Sequence, residues 1–300
     1  MLQLPLNERL TLYLMLAVYL IAAAVAVRQL SAAGAGRRRF LTALISFGVC
    51  LQSLLLIFRA VSLQAFPLTS LFESMLFLGI AFGLAYLLLS ILMPQVWFAS
   101  VMTWIMLFLA LLAAKVAAPA SAVHAAARTP LAVAHGLAMT LSVAAIASST
   151  AAAWMYLLAN KRLKNKELGK VLGRMPNIEK LRLLNLTGIR AGFVLLTFGL
   201  FTGFGMAAIQ VRAGETTIAH WLIDPKIVLI ILAWLLLAVI FVLRVLTRLS
   251  GRAVAWLTLA AFFLLIFAIV GVTIFCGTRH VFSQPAAMLM ESQWISQYSA

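Results

Sequence analysis

Eight long apolar stretches dominate the sequence. They run from about residue 10 to 27, 40 to 58, 71 to 92, 96 to 114, 130 to 159, 189 to 209, 226 to 243 and 253 to 276. A helix needs roughly 20 apolar residues to cross the hydrocarbon core of a bilayer. Of the 300 residues, 65% are hydrophobic and only 10% are charged, a balance typical of polytopic membrane proteins. The sequence therefore predicts an all-α integral membrane protein with about eight transmembrane helices.

Lysine and arginine are divided unevenly between the connections that join these stretches. The connections after the first, fifth and seventh stretches hold four, nine and three of the 23 basic residues. Cytoplasmic loops carry an excess of Lys and Arg, so we predict that these connections are cytoplasmic and that both termini lie outside. Topology then explains the net charge of +16. No nucleic-acid partner is predicted, because nucleic-acid binding requires a large solvated basic face.

The long connection after the fifth stretch contains "MPNIEKLRLLNL". Leu181, Leu184 and Leu186 stand there among charged residues, and Asn177 occupies the position of an N-cap. One interpretation is an interfacial amphipathic helix that leads into the sixth stretch. The other is a solvated linker whose charges only fix topology.

Few features of the sequence indicate enzymatic chemistry. Cys50 and Cys276 both lie in apolar stretches, and no C-x-x-C-H motif for covalent heme attachment is present. The four histidines have no accompanying cysteine or carboxylate cluster of the kind that binds zinc. No nucleophile and base stand at workable spacing. We therefore expect no catalytic residues and, at most, an accessory role in a larger machinery.

The third stretch begins "FPLTSLFESMLFLG". Ser70 and Glu73 have the S-x-x-E spacing of a capping box, in which two side chains satisfy backbone N–H groups at the start of a helix, and Pro67 stands just upstream. The capping box is one interpretation of Glu73. The other is that Glu73 also directs its carboxylate into an outward-facing cavity.

His135 lies near the start of the fifth stretch, in "RTPLAVAHGLAMTLS". Thr129 and Pro130 fit the N-cap and first helical positions, which puts His135 about 8 Å below the helix start at 1.5 Å per residue. A polar side chain within a span costs on the order of 3 kcal/mol unless it is paired or used. His135 is therefore either a functional ligand or a hydrogen-bonded packing residue.

His280, in "GVTIFCGTRHVFS", and the polar segment "HWLIDPK" are predicted to face the same outer side as His135. A six-coordinate heme iron requires two neutral imidazoles across a flat apolar slot, with Arg or Lys nearby for the propionates. His124 and His220 are also predicted on this side, so spacing alone does not name the pair. Three cations are predicted on the same side: Arg212, Lys226 and Arg279.

Five stretches occur in a fixed order along the chain: "FPLTSLFESMLFL", "AHGLAMTLSVAAIASS", "GFVLLTFGLFTG", "WLIDPKIVLIILAWLL" and "GVTIFCGTRH". Together they resemble the cytochrome c assembly family, which includes the CcsA/ResC and CcmC heme-handling proteins. The resemblance runs from about residue 63 to 282. It implies a six-helix membrane core in 63–282, an N-terminal two-helix addition in 1–62 and a short external tail in 283–300.

Members of this family bind heme between a tryptophan-rich outer loop and two flanking histidines, and present it for attachment to apocytochrome c. The resemblance implies a non-covalent heme b with His135 and His280 as ligands of its iron. The full implied cofactor-binding set is His135, His280, Trp221, Asp224, Lys226, Glu73, Arg212 and Arg279. The implied surroundings are the lipid bilayer of a bacterial inner (cell) membrane, a periplasmic functional face, a ResB-like membrane partner and apocytochrome c.

The tryptophan-rich loop departs from the family pattern. Trp221 matches the middle one of three tryptophans, whereas Thr217 and Ile223 occupy the other two positions. After the Asp-Pro-Lys, the usual Glu and Trp are replaced by Ile227 and Leu229. Aromatic rings provide the flat surface on which a porphyrin stacks, so their loss weakens the platform.

Two further positions complete the comparison with the family pattern. Trp234 matches it, whereas Tyr86 stands where the heme-transporting members keep a histidine within a helix. These departures resemble a divergent branch of HemX-type and YpjD-type membrane proteins.

Three hypotheses of function follow from the sequence. The first is a heme-binding membrane protein of cytochrome c biogenesis. The second is a HemX-like regulator of tetrapyrrole synthesis that works through the basic connection from Lys161 to Arg190. The third is a membrane protein that uses the same fold without heme.

Overall fold

The computed structural model describes residues 4–31, 35–64, 66–68, 70–92, 96–117, 129–166, 177–212, 217, 219, 222–246 and 249–272. Within these ranges the chain forms eight α-helices and no β-strand. They are α1 (Leu6–Ser31), α2 (Ala35–Leu63), α3 (Leu71–Leu92), α4 (Val96–Lys115), α5 (Pro130–Lys164), α6 (Ile178–Arg212), α7 (Pro225–Leu246) and α8 (Gly251–Ile266), which a π-helical turn, Phe267–Gly271, continues. All eight are long and apolar enough to cross a membrane. The predicted all-α, eight-span architecture is confirmed.

Side-chain caps fix where two of these helices begin. The Thr129 side chain accepts a hydrogen bond of 3.3 Å from the backbone N–H of Ala132, and Pro130 follows as the first residue of α5. Ser250 accepts from the N–H of Ala253 in the same way at the start of α8. Such caps satisfy N–H groups that have no partner within the helix. The predicted start of the fifth span is confirmed.

The helix α6 is longer than the sequence predicted. It runs without interruption for 35 residues, so the segment before span six is helical, as the first interpretation predicted, and the linker interpretation is wrong. The segment forms the first turns of α6 and is not a separate helix. The Asn177 side chain accepts from the N–H of Glu179 at 2.9 Å, and Leu181 is fully buried. A 35-residue helix is about 52 Å long, against about 30 Å for the hydrocarbon core. The core packing of Leu181 lets the helix continue beyond the membrane span.

The helix α5 also has 35 residues and is the main packing partner of α6. Small residues allow their backbones to approach closely. A Cβ atom added to Gly188 would lie 2.8 Å from the Cβ of Ser149, and one added to Gly192 would collide with the Ile146 side chain. This close packing fixes the register between the two helices.

Two hydrophobic clusters that share α5 form the interior. The first joins α1 to α5 and contains fully buried side chains such as Tyr19, Phe82 and Met102. The second joins α5 to α8 and includes Leu237 and Leu265. The helix pair predicted as an N-terminal addition packs on α3 and α4 within the first cluster. Helix α5 thus connects the two halves of the bundle.

A buried polar junction links α5, α6 and α8. The Ser149 hydroxyl donates to Asn185, with both the backbone and carboxamide oxygens at 2.7 Å, and the Thr258 hydroxyl lies 3.1 Å from the same carboxamide oxygen. Each of these three side chains is at most 3% exposed. Buried polar groups are stabilising only when they are satisfied, so this junction fixes how three helices meet.

Candidate functional site

Successive membrane spans alternate in direction, so the helix ends fall into two groups. The histidine end contains the starts of α1, α3, α5 and α7 and the ends of the other four helices. The basic end contains the opposite termini. At the histidine end lie all the described members of the predicted site: Glu73, His135, Arg212, Asp224 and Lys226.

His135 lies in the second turn of α5 and faces α6. Its Nδ1 atom is 2.9 Å from the backbone carbonyl oxygen of Gly199. A carbonyl oxygen only accepts hydrogen bonds, so Nδ1 carries the hydrogen and donates it, which leaves the lone pair of the neutral ring on Nε2. Metal-ligating histidines commonly hold their other ring N–H in this way. The ring is therefore hydrogen-bonded and also in the tautomer that a heme ligand requires.

Two residues of α6 support this arrangement of His135. The Thr202 hydroxyl donates to the Gly199 carbonyl at 2.9 Å and lies 3.4 Å from His135 Nδ1. A Cβ atom on Gly203 would lie 3.0 Å from Cε1 and 3.3 Å from Nδ1 of the ring. Glycine at position 203 thus allows the imidazole to approach α6 closely.

Glu73 forms the predicted capping box. The Ser70 hydroxyl oxygen accepts from the N–H of Glu73 at 3.3 Å, and Oε2 of Glu73 accepts from the N–H of Ser70 at 3.1 Å. These reciprocal bonds satisfy two backbone donors at the start of α3. The capping interpretation is confirmed. The side chain is only 1% exposed, so its carboxylate lies beneath the surface of the histidine end.

Arg59, near the end of α2, lies between two buried carboxylates. Its Nη1 is 3.5 Å from Oε2 of Glu8, and its Nε is 3.7 Å from Oε1 of Glu73. The guanidinium carbon stands 4.9 Å from the centre of the Phe72 ring, within cation–π range. We call Glu8, Arg59 and Glu73 the charge cluster. It joins α1 and α2 to the start of α3.

The short segment before α3 connects the charge cluster to α5. The Leu68 side chain packs beside Gly136, where an added Cβ would lie 3.2 Å from its Cδ1. The ring of Phe66 stands 6.4 Å from that of Phe77 on α3. Gly136 follows His135 directly in the sequence, so the segment contacts α5 at the residue next to the histidine.

The Asp-Pro-Lys segment forms the start of α7. Oδ1 of Asp224 accepts from the N–H of Lys226 at 2.9 Å, and the carbonyl oxygen of Asp224 accepts from the N–H of Val228 at 3.1 Å. Asp224 is thus a helix cap. Lys226 stands in the first turn of α7 and is partly buried, whereas Arg212 is exposed at the end of α6. The two cations and His135 thus lie at the same end of the bundle, on three different helices.

Three predicted site residues lie outside the described residues: Trp221, Arg279 and His280. The same holds for the alternative histidines, His124 and His220. The π-helical turn at Phe267–Gly271 widens the last described turns of the eighth span. Such turns are often found near functional sites, and this one ends nine residues before His280 in the sequence.

Trp234 and Tyr86, which were compared with the family pattern above, both have packing roles in the structure. The indole N–H of Trp234 donates to the Thr197 hydroxyl at 2.9 Å, and the indole stacks on Phe193 with 5.6 Å between ring centres. Tyr86 is fully buried in the last third of α3, towards the basic end. Trp234 therefore joins α6 to α7, and Tyr86 fills the first core cluster.

The sequence predictions missed Arg59 and Glu8. The charge distribution predicts Arg59 only as one of the basic residues on the outer side. A signal was present, because Arg59 stands between apolar residues and both Glu8 and Glu73 are predicted at the same membrane surface. The chain has only seven acidic residues, so two of them beside one arginine at that depth indicate an ion pair.

Comparison with known proteins decides the family. The family described as "Cytochrome C assembly protein" matches residues 68–278, well over half of the chain. This chain belongs to the cytochrome c assembly family. The matched region of this family member contains Glu73, His135, Asp224 and Lys226.

Similar curated proteins include the cytochrome c biogenesis protein CcsA from strains of Prochlorococcus marinus. One alignment has 28% identity over 257 residues and covers 78% of this chain and 80% of the relative. Another has 35% identity over 98 residues and covers 33% of this chain and 29% of the relative. This shorter alignment spans less than a third of the relative. The chain is a multi-pass membrane protein of a cytochrome c biogenesis family.

Proposed function

We propose that this protein binds heme at the histidine end and handles it there during cytochrome c biogenesis. The observation that most supports the proposal is the hydrogen bond from His135 Nδ1 to the Gly199 carbonyl, because it leaves the Nε2 lone pair in the form that heme iron accepts. His280 is proposed as the second axial ligand. Heme itself would supply the iron and the vinyl groups that react with apocytochrome thiols.

The other residues of the proposed site suit the remaining parts of a non-covalent heme b. Lys226, Arg212 and Arg279 provide cations for the propionates, and Trp221 provides an aromatic face for stacking. Asp224 supports this set by capping α7, which carries Lys226. Because only one of three expected tryptophans is present, we propose that the axial histidines contribute more to heme retention than the loop does.

The surroundings of this site are proposed from the family and from the charge distribution. The histidine end would face the periplasm from a bacterial inner membrane, with both termini on that side. A ResB-like membrane protein and apocytochrome c are the proposed partners. In this arrangement the protein supplies geometry, while the chemistry of attachment belongs to heme and the apocytochrome.

An absorption spectrum of the full-length protein, purified from heme-replete cells, tests the proposal. We expect a Soret band typical of bis-histidine ligation, which His135→Ala and His280→Ala each weaken or shift. His124→Ala and His220→Ala are matched controls, and their spectra should equal that of the unaltered protein. Absence of a Soret band, or a band that both site variants leave unchanged, would refute the proposal.

A rescue experiment separates ligation by His135 from a purely structural role. In His135→Gly, free imidazole added in solution should restore the bis-histidine spectrum. If imidazole leaves the spectrum unchanged while the variant remains monodisperse and helical, His135 is a packing residue and the proposal loses its main support.

A further inference from the structure

The basic end contains a small cleft, open to the surface, between four helices. It lies beside the last turns of α5 and α7 and the first turns of α6 and α8. Its lining includes Tyr156, Arg182, Asn185, Arg244, Leu249 and Gly251. None of the described residues that line the cleft is acidic. The cleft therefore combines two cations with no carboxylate among them.

The guanidinium of Arg244 needs an acceptor that the described part of the chain does not provide. Its Nη1 atom is buried and has no hydrogen-bond partner there. A buried N–H of a charged group is costly when it is unsatisfied. An anion in the cleft satisfies both the hydrogen bond and the charge.

Arg182 occupies the other side of the same cleft. Its only described ion pair is with Glu179, at 3.7 Å, and the two side chains are 47% and 74% exposed. Exposed pairs of this kind contribute little. Arg182 can therefore exchange this carboxylate for a ligand in the cleft.

The start of α8 adds a third positive element. Gly251 is the first residue of this helix, and a Cβ atom there would lie 2.7 Å from the Tyr156 hydroxyl. The positive end of the helix dipole favours anions, and the Tyr156 hydroxyl provides a hydrogen-bond donor beside it. Two guanidinium groups, a hydroxyl and a helix start form a donor set that suits a phosphate group.

We infer that this cleft binds a phosphate group, carried either by the headgroup of an anionic lipid or by a soluble phosphate compound. Basic pockets between membrane helices bind lipid headgroups through this chemistry. Arg182 and Arg244 contact the phosphate oxygens, and Tyr156 donates a further hydrogen bond. The site is at the opposite end of the bundle from His135 and is independent of heme.

Thermal unfolding of the full-length protein in a zwitterionic detergent tests this inference. Phosphatidylglycerol should raise the unfolding midpoint in a saturable way, and phosphatidylcholine should not. Arg182→Gln and Arg244→Gln should each lose at least half of that shift. Arg190→Gln, on the exposed face of α6, is the matched control and should keep the whole shift.

Inorganic phosphate distinguishes the two sources. If millimolar phosphate alone raises the midpoint and competes with phosphatidylglycerol, the ligand is a soluble phosphate compound; if only the lipid acts, it is a headgroup. An equal shift by phosphatidylglycerol in Arg244→Gln and the unaltered protein would overturn the inference, as would an equal effect of phosphatidylcholine. If Arg244→Gln fails to fold, the double variant Arg182→Gln/Tyr156→Phe is tested in its place. A shift by phosphatidylglycerol in that variant equal to the shift in the unaltered protein would then overturn the inference.

Discussion

Arg59 and Glu8 meet at the histidine end with 3.5 Å between Nη1 and Oε2, although each side chain is only about 1% exposed. Glu73 approaches the same guanidinium from α3. The desolvation of buried charges offsets most of their attraction, so such a cluster contributes little net stability while it is intact. Removal of one member leaves the others buried and uncompensated, which makes the cluster sensitive to substitution.

Arg59→Gln should lower the free energy of unfolding by about 3 kcal/mol or more, because two buried carboxylates then face each other without a cation. Chemical unfolding in detergent measures this change. Arg28→Gln, at an exposed position of α1, is the control and should have almost no effect. In the triple variant Glu8→Gln/Arg59→Gln/Glu73→Gln most of the loss should be recovered; a loss as large as in the single variant would contradict an electrostatic cause.

Gly203→Val should reduce heme affinity by about tenfold or more, the range reported for loss of a group that orients a metal ligand. The new side chain displaces the imidazole, because even a Cβ atom lies 3.0 Å from its Cε1. Heme titration followed at the Soret band measures the effect. Gly205→Val is the matched control, since a Cβ there meets only Leu131 at an ordinary 3.5 Å. Equal losses in both variants would mean that packing of α6, rather than the ring position, is responsible.

Asn185→Leu should destabilise the protein by about 0.5–1.5 kcal/mol, because the Ser149 and Thr258 hydroxyls lose their shared side-chain acceptor but keep backbone carbonyl acceptors. Unfolding of Asn185→Leu, Ser149→Ala and the double variant forms a double-mutant cycle. We expect a coupling energy of about 0.5 kcal/mol or more. Strict additivity would show that the two residues do not act together.

Trp234→Phe should lower the free energy of unfolding, measured by chemical unfolding in detergent, by only about 1 kcal/mol. It removes the hydrogen bond to Thr197 but keeps an aromatic ring beside Phe193. Trp234→Ala should lower the free energy of unfolding by clearly more than Trp234→Phe, because it also removes the stacking on Phe193 and leaves a gap at a partly buried position. Thr197→Val is the control for the hydrogen bond and should match Trp234→Phe. If Trp234→Phe costs as much as Trp234→Ala, the bond to Thr197 dominates and stacking is minor.

Single-cysteine labelling tests the predicted orientation. In a background that lacks Cys50 and Cys276, a membrane-impermeant maleimide applied to intact spheroplasts should label a cysteine at Ser283. The same reagent should label one at Lys170 only after the membrane is permeabilised. These outcomes follow from the excess of Lys and Arg in the connections after spans one, five and seven. The reverse pattern would invert the topology and place the histidine end in the cytoplasm.

The sequence predicted local features well because hydropathy and helix caps are local properties. All eight spans are confirmed, and so are the caps that begin at Ser70 and Thr129. A helix after Asn177 was one of two interpretations, but its unbroken continuation into span six was missed because its first turns carry charges. Burial of Leu181 and Asn185 against other helices stabilises those turns, and no local pattern reports such tertiary contacts.

The candidate site was only partly predictable for the same reason. The tautomer of His135 depends on a carbonyl oxygen 64 positions away in the chain. The charge cluster joins residues from three helices that the sequence treated as an addition and a separate core. Helix ends can be assigned to one side of a membrane from charges, but which side chains meet there depends on helix packing.

The acceptor for His135 is a peptide carbonyl, and this has a consequence for mutational drift. Side-chain replacements along α6 cannot delete that oxygen, so the imidazole keeps an acceptor for Nδ1 through every replacement that leaves room for the ring, as glycine does at position 203. A loop of aromatic side chains has no such protection, because each ring is lost by a single codon change. Drift in this protein is therefore expected to degrade the stacking surface long before it alters the protonation pattern of the histidine.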